Sequence, residues 1–459
     1  MLQTEGQSRQ TDRQILGYSR YRVATAAFFA MAVISPFEYG WSSISGKIGA
    51  TYGWSDDQIS TMFTLFIVFQ SVGMLPGGML RDRFGPRWTT AVAGVFSALG
   101  IFSVTLGPSY GLVLTLWCIG SFFTGFIYND AVTTGIKWFR DRRGAMTGVI
   151  AGAFSWGSIP FIFWIRGISP SSPKSTFFTV IYVMTGLIAV VAIVAAQFMR
   201  DPPTNWAPAG WVPTRKGHTR PNDHEYTLIQ AMTTWQMWVM IISFILISGA
   251  GLAGVSRVTD YAGSFGFAAA AGTAAAAGIS VGNGLGKLAL GWVSERFGAE
   301  NTMIVSYSLC GLLLFASVAA GNAGLEGLFI ATAILSIFFW ASLFSLFPIL
   351  IGAYYGNASA GGNYGILYAI AKGSGGVYGG IVTTLLISHH GFSFGMEAAA
   401  ALAIIAGLLI VPLRFYPVRG RGKASTTPTP AEALGVVAGR PQATLLAEDK
   451  TPKPPARAL

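Results

Sequence analysis

Apolar runs long enough to cross a bilayer recur from residue 23 to residue 414, with only short polar stretches between most of them. A spanning α-helix needs about 20 such residues. Lipid offers backbone groups no partner, so each run must satisfy its own hydrogen bonds as a helix. The runs predict helices at 23–42, 58–80, 88–107, 110–137, 144–166, 176–198, 233–255, 266–293, 302–320, 326–352, 361–386 and 393–414. Only 11% of the residues are charged, where a soluble domain carries roughly a quarter. Mean hydropathy is +0.53. The length of 459 residues suggests several soluble domains, but so few charges cannot clothe them. The expected fold class is an all-α membrane protein of twelve transmembrane helices.

A polar stretch with Pro202, Pro203, Pro208, Pro213 and Pro221 divides the spans into two sets of six. The expected organisation is an N-tail (1–22), a six-helix half (23–198), a central loop (199–232), a second half (233–415) and a Pro-, Thr- and Lys-rich tail (416–459). That tail has the composition of a disordered segment. The net charge of +11 does not point to nucleic acid, because its distribution is one-sided. With the N-terminus inside, only Lys47, Arg166, Lys174 and Arg257 fall outside, and Lys287 and Lys372 fall within spans. All other basic residues face the inner side, which predicts cytoplasmic tails and contact with anionic lipid. No cleavable signal peptide is expected before the first span. Cys118 and Cys310 lie in separate spans, so no disulfide framework is expected.

The halves share a motif. Gly78-Met79-Leu80-Arg81-Asp82-Arg83-Phe84-Gly85 follows the second span, and Gly291-Trp292-Val293-Ser294-Glu295-Arg296-Phe297-Gly298 follows the eighth. Both read G-x-x-x-[D/E]-R-F-G in the second inner loop of their half. A duplicated unit places a solute site at the interface of the repeats near the bilayer midplane. Asp82, Arg83, Glu295 and Arg296 are candidates for a gating latch of ion pairs; the alternative is that Arg81, Arg83 and Arg87 only fix topology.

At these residues the chain resembles the major facilitator superfamily, whose loop between helices 2 and 3 looks like Gly78 to Arg87. Trp138-Phe139-Arg140-Asp141-Arg142-Arg143-Gly144-Ala145-Met146-Thr147-Gly148 is similar to a segment of the oxalate/formate antiporter family, near relatives of the monocarboxylate porters. Glu38-Tyr39-Gly40-Trp41, Asn363-Tyr364-Gly365 and Ala371-Lys372 add to that likeness, which covers nearly the whole chain apart from the tails.

Charges within spans are costly, about 2.5–3.5 kcal/mol each on insertion scales, and so are functional candidates. Lys287 shares a helical stripe with Ser280, Asn283, Gly291 and Ser294. The surrounding Gly282-Asn283-Gly284-Leu285-Gly286 looks superficially like a phosphate loop, but no strand precedes it and Leu288 stands where Ser or Thr is needed. Close helix packing explains those glycines better. Lys372 follows Tyr368 by one turn, with Gly375, Gly376 and Gly379 on the same side. Two ammonium groups facing one cavity repel, and an anion between them relieves that. The competing reading is that a lysine pairs with a buried acid and only holds helices together.

The resemblance adds expectations for both lysines. The antiporter family places one Arg and one Lys in these two helices. Lys372 looks like the family lysine, and Lys287 stands where the family has arginine. Arginine grips a carboxylate with two parallel hydrogen bonds, whereas lysine is a point charge. The departure argues against oxalate itself and leaves a monocarboxylate or larger organic acid open.

Glu38 is the main acid within a span, beside Pro36, where the family often has a neutral residue. Proton exchange, an ion pair with a cavity lysine and a water-exposed position are all open for it. Asp130 has the same coupling candidacy, with pairing to Lys137 as the alternative. Tyr39, Tyr128, Trp340 and Tyr368 are the expected aromatic lining with Asn283 beside them; Trp41, Phe154, Trp156 and Phe344 are further aromatic candidates. General bundle packing competes for each.

An integral membrane enzyme lacks support. The four histidines lie in loops, and no metal-ligand spacing or nucleotide loop is present. No metal or cofactor is expected. The expected function is secondary transport of a small organic anion in a bacterial inner membrane, with a proton or counter-anion as partner and the chain acting as a monomer. Transport of a larger amphipathic compound is the alternative.

Overall fold

The computed structural model describes residues 11–169, 172–203, 206–208, 225–416 and 418. The tail beyond them and most of the Pro-rich central stretch, Pro213 and Pro221 included, lie outside the described residues.

Twelve helical segments run through the fold, and no strand occurs among the described residues. In the first half, α1 comprises Arg20–Val33, the 3-10 turn Ser35–Phe37 and Trp41–Tyr52. Next come α2 (Asp56–Phe84), α3 (Pro86–Phe102), α4 (Tyr110–Trp138), α5 (Arg143–Trp156 and Ile159–Arg166) and α6 (Lys174–Phe198). The second half has α7 (Trp235–Ser264), α8 (Ala269–Phe297), α9 (Ala299–Asn322) and α10 (Glu326–Trp340 and Leu343–Tyr354). α11 opens with Ala360–Val377 and a π turn, Tyr378–Val382. It runs on into Thr383–Phe415 as far as Gly391, whose φ of 85° breaks that helix. α12 is the remainder. Short helices Asp12–Leu16 and Leu228–Met232 precede the two halves.

Among the described residues, nine helices are long and apolar enough to cross a membrane. The segments that fall short are α1, α8 and α11. They carry Glu38, Lys287 and Lys372. Pro36 has no N–H to continue the helix through α1, so the chain makes a short 3-10 turn and restarts at Trp41. The first segment therefore reaches Tyr52, ten residues beyond the expected end at 42. Glu38 sits in this break, free of regular helix.

α2 packs along α11, and α5 along α8, so these pairs form the seam between the halves. Val92, Leu99, Leu187, Val190, Val194, Val305, Leu312 and Leu408 on α3, α6, α9 and α12 are exposed, as lipid-facing side chains are.

The repeated glycines have matching roles. Gly85 and Gly298 end α2 and α8 with φ of 82° and 86°, a region that side chains other than glycine rarely enter. Each turn starts the next helix directly, with Pro86 at the first position of α3. Gly78 and Gly291 serve close approach. A Cβ on Gly78 would overlap the Gly361 carbonyl of α11, and one on Gly291 would overlap the Gly144 carbonyl of α5. Each repeat thus butts against the opposite half.

Candidate functional site

The break in α1 aims Glu38 at α11, where its Oε2 lies 2.7 Å from the Lys372 ammonium. Gln70 of α2 accepts a second hydrogen bond from Lys372 at 2.8 Å, and its amide donates to Thr124 of α4 at 3.4 Å. Lys372 is 1% exposed and Lys287 0%. Burial at that level requires compensation for each charge.

Lys287 is satisfied differently. Its ammonium donates to Ser155 Oγ at 2.8 Å and, more weakly, to the Tyr39 hydroxyl at 3.4 Å. Ser155 and Tyr39 both donate to Asn283 Oδ1, at 2.9 and 3.3 Å. Among the described residues, no carboxylate stands at ion-pair distance from Lys287.

The two ammonium groups share aromatic faces. Lys287 Nζ is 4.8 Å from the Phe344 ring centre and 5.9 Å from Phe154. Lys372 Nζ is 5.7 and 5.8 Å from the same rings. Such distances are within the range of cation–π attraction. Tyr128 lies between Phe154, which it meets edge-on, and Tyr368, to which it is tilted, with ring centres 5.2 Å from each. Among the described residues, the buried hydroxyls of Tyr128, Tyr364 and Tyr368 make no hydrogen bond of normal geometry. They leave donors near the lysines.

Of the sequence-predicted residues, Lys287, Lys372, Tyr39, Tyr128, Tyr368, Asn283 and Glu38 come together here. Trp340 borders the site against Phe344 at 5.4 Å, but its indole N–H is already used on the Ile247 carbonyl at 2.7 Å. Trp41 packs away with Phe63 and Trp117, and Trp156 covers Gly284. The glycines around Lys287 serve packing: a Cβ on Gly286 would meet the Phe338 carbonyl. Gln70 and Ser155, the direct partners of the two lysines, were not singled out from sequence.

Asp130 belongs to a different cluster, at the end of the bundle carrying the repeated loops. It accepts from Thr89 and Thr90 at 2.7 Å each and faces Arg81 Nε at 3.7 Å. Lys137, its expected alternative partner, pairs instead with Asp82 at 3.1 Å and Asp201 at 2.7 Å. Arg81, fully buried, also binds Asp201 at 2.6 Å. Burial pushes the Asp201 carboxyl up, but the Arg81 and Lys137 charges outweigh it and hold it below the ordinary carboxylate range.

The repeated acids clamp the halves symmetrically. Asp82 Oδ2 accepts from the Gly362 N–H at the start of α11, 2.8 Å away. Glu295 Oε1 accepts from the Ala145 N–H at the start of α5, 2.7 Å away. An anion at a helix N-terminus meets free N–H groups and a favourable dipole. Arg83 and Arg296 are exposed at this end, and the buried cations of the cluster are Arg81 and Lys137.

The bundle, its repeat and its charged centre define a transport protein built from two halves. A sequence profile described as Major Facilitator Superfamily matches residues 23–279. The chain belongs to that superfamily and is a multi-pass membrane transporter. It is 27% identical over 413 residues to the oxalate:formate antiporter of Oxalobacter formigenes, covering 89% of this chain and 95% of that protein. It is 24% identical over 289 residues to the probable nitrate/nitrite transporter NarK2 of Mycobacterium tuberculosis (strain CDC 1551 / Oshkosh), covering 61% and 68% of the two chains. Its fold is similar to the fucose:proton symporter FucP of E. coli, with a TM-score of 0.65 at 14% identity over 86% of this chain and 98% of that one.

Proposed function

We propose that this protein moves a small organic anion, a mono- or dicarboxylate, by alternating access as an antiporter or proton symporter. The observation that carries the reading is the pair of buried lysines on shared aromatic faces, with a carboxylate on only one of them. With Glu38 ionised the centre keeps one net positive charge, which a carboxylate neutralises. Buried tyrosine hydroxyls beside it supply further donors. Two relatives, an oxalate:formate antiporter and a probable nitrate/nitrite transporter, both carry small anions by name. A larger amphipathic cargo gives no reason for two ammonium groups. The one-sided basic residues support placing the repeated loops and both tails in the cytoplasm, and the bacterial relatives support an inner-membrane location.

The test is counterflow of labelled formate, lactate, malonate and oxalate in proteoliposomes, with a neutral vitamin and a cationic amphiphile as controls. Lys287→Ala and Lys372→Ala should each cut carboxylate exchange by at least about a hundredfold, since a charge contact near 4 Å is worth about 4 kcal/mol at an effective dielectric of 20. Normal exchange in either variant, or wild-type transport of a control compound alone, sinks the anion reading.

A further inference from the structure

We propose that Glu38 matches the charge of the site to the charge of the cargo: ionised, it leaves one net positive charge for a monoanion; protonated, it leaves two for a dianion. Each dianion then crosses with one proton, and each monoanion with none. The inference rests on the anion reading above and concerns the same centre.

The geometry supplies the parts. Lys372 has two acceptors, Glu38 at 2.7 Å and Gln70 at 2.8 Å. Gln70 is held by Thr124, so Lys372 keeps a partner when Glu38 lets go. Glu38 itself caps the 3-10 turn in the break of α1, its N–H bonded to the Ser35 carbonyl at 3.1 Å, and its side chain leaves from between two helical pieces. The ionisable groups that act on it are Lys372 and Lys287 and the hydroxyls of Tyr39, Tyr128 and Tyr368. The neighbouring α2 and α5 contribute Gln70, Phe154 and Ser155, and α10 contributes Phe344; all are neutral. Among the described residues, no second acid pairs with either lysine. Glu38 is therefore the group whose ionisation changes the centre from +1 to +2.

The charges balance at each step. A monoanion with ionised Glu38 gives a neutral centre, its carboxylate on Lys287 and the Glu38–Lys372 pair intact. A dianion brings a second carboxylate that competes for Lys372. Glu38 takes a proton from the solution on the open side, forming an O–H bond, and Lys372 turns to the cargo. The centre is again neutral. When the opposite side opens, the dianion leaves with Lys372 freed, and Glu38 returns its proton to water as the ion pair re-forms. Both loaded forms cross the low-dielectric interior without net charge, which avoids the cost of an isolated buried ion. Exchange of a dianion and a proton for a monoanion is consequently electroneutral.

The experiment uses the full chain in proteoliposomes at neutral pH, with malonate or oxalate as dianion and formate as monoanion. Internal pyranine counts protons, and valinomycin with a potassium gradient sets the membrane potential. Wild type should take up one proton per dianion and none per formate, and dianion–formate exchange should ignore the potential. Glu38→Gln fixes the centre at +2. It should move no proton, make the same exchange potential-sensitive and shift preference toward the dianion by at least about tenfold. Glu38→Asp should restore the proton count. Dianion uptake without protons in the wild type overturns the inference and needs no variant; so does a one-proton count in Glu38→Gln. In both cases carboxylate exchange persists and the anion reading stands. Absence of any carboxylate exchange removes that reading, and this inference with it.

Discussion

Replacing Asp82 by Ala should open the end of the bundle that carries the repeated loops, and replacing Glu295 by Ala should do so less. Both acids accept one backbone N–H across the seam, at 2.8 and 2.7 Å, but their settings differ. The Asp82 side chain is 14% exposed and also binds Lys137 at 3.1 Å, whereas Glu295 lies on the exposed surface. A hydrogen bond to a charged group contributes about 1.5–3 kcal/mol, and water screening reduces exposed charges toward 0–1 kcal/mol. Loss of Asp82 should therefore favour the open form by about 2 kcal/mol, and loss of Glu295 by about 0.5 kcal/mol. Those values correspond to roughly thirtyfold and twofold changes in the open-to-closed ratio. Spin labels at Arg83 and Arg296, both exposed and on opposite halves, report the separation by pulsed dipolar spectroscopy. Equal shifts from the two substitutions, or none from Asp82→Ala, would refute the reasoning.

Two further outcomes follow from the same end of the molecule. Gly78→Ala should lower exchange more than about tenfold by holding the seam open, because its Cβ would overlap the Gly361 carbonyl; Gly186→Ala on α6, with nothing within 4 Å, should leave exchange unchanged. Asp201 is held below its ordinary value of 3.8, so the stability it contributes is present above that value and is lost as pH falls through the lower folded one. Asp201→Asn should flatten the acid limb of thermal stability in detergent between about pH 5 and 2; an unchanged limb excludes this role. Asp141, lowered beside Arg20 despite the opposing effect of burial, keeps a residual limb of the same sign.

Much of the fold was legible because lipid imposes one rule on every span. The errors fall where that rule is interrupted. The first span was read as ending at 42, since Pro36 and Gly40 hide the helix that restarts at Trp41. By contrast, the break at Gly391 falls within the gap expected between 386 and 393. The loop repeat was legible as a pattern, whereas the depth of burial of its charges was not. Arg83 and Arg296 occupy equivalent positions and are both exposed, while buried Arg81 corresponds to Ser294 and so falls outside the repeat. Asp130 was placed within a span correctly, but sequence does not give depth. Its position in the last third of α4 brings it to Arg81, Thr89 and Thr90. Gln70 and Ser155 escaped because they are neutral; a polar residue amid the apolar run of α2 was the available signal.

The three segments that are not both long and apolar enough to span carry the charged residues of the centre; α1 falls short because its break leaves pieces of 14 and 12 residues. Enough apolar surface keeps nine helices in place regardless of cargo. The other three trade apolarity for chemistry: α1 breaks to free Glu38, α8 thins to glycine around Lys287, and α11 sets Lys372 above a tyrosine face. α8 leans on α5 and α11 on α2, each across the seam between the halves, so their polar groups find partners there and not in lipid. Lys287 with Ser155 and Lys372 with Gln70 and Glu38 are all contacts between halves. Motion of one half against the other must disturb these contacts together. The charge of the centre and the closure of the bundle are therefore carried by the same residues, and on the reading proposed above an anion that satisfies both lysines acts on both at once.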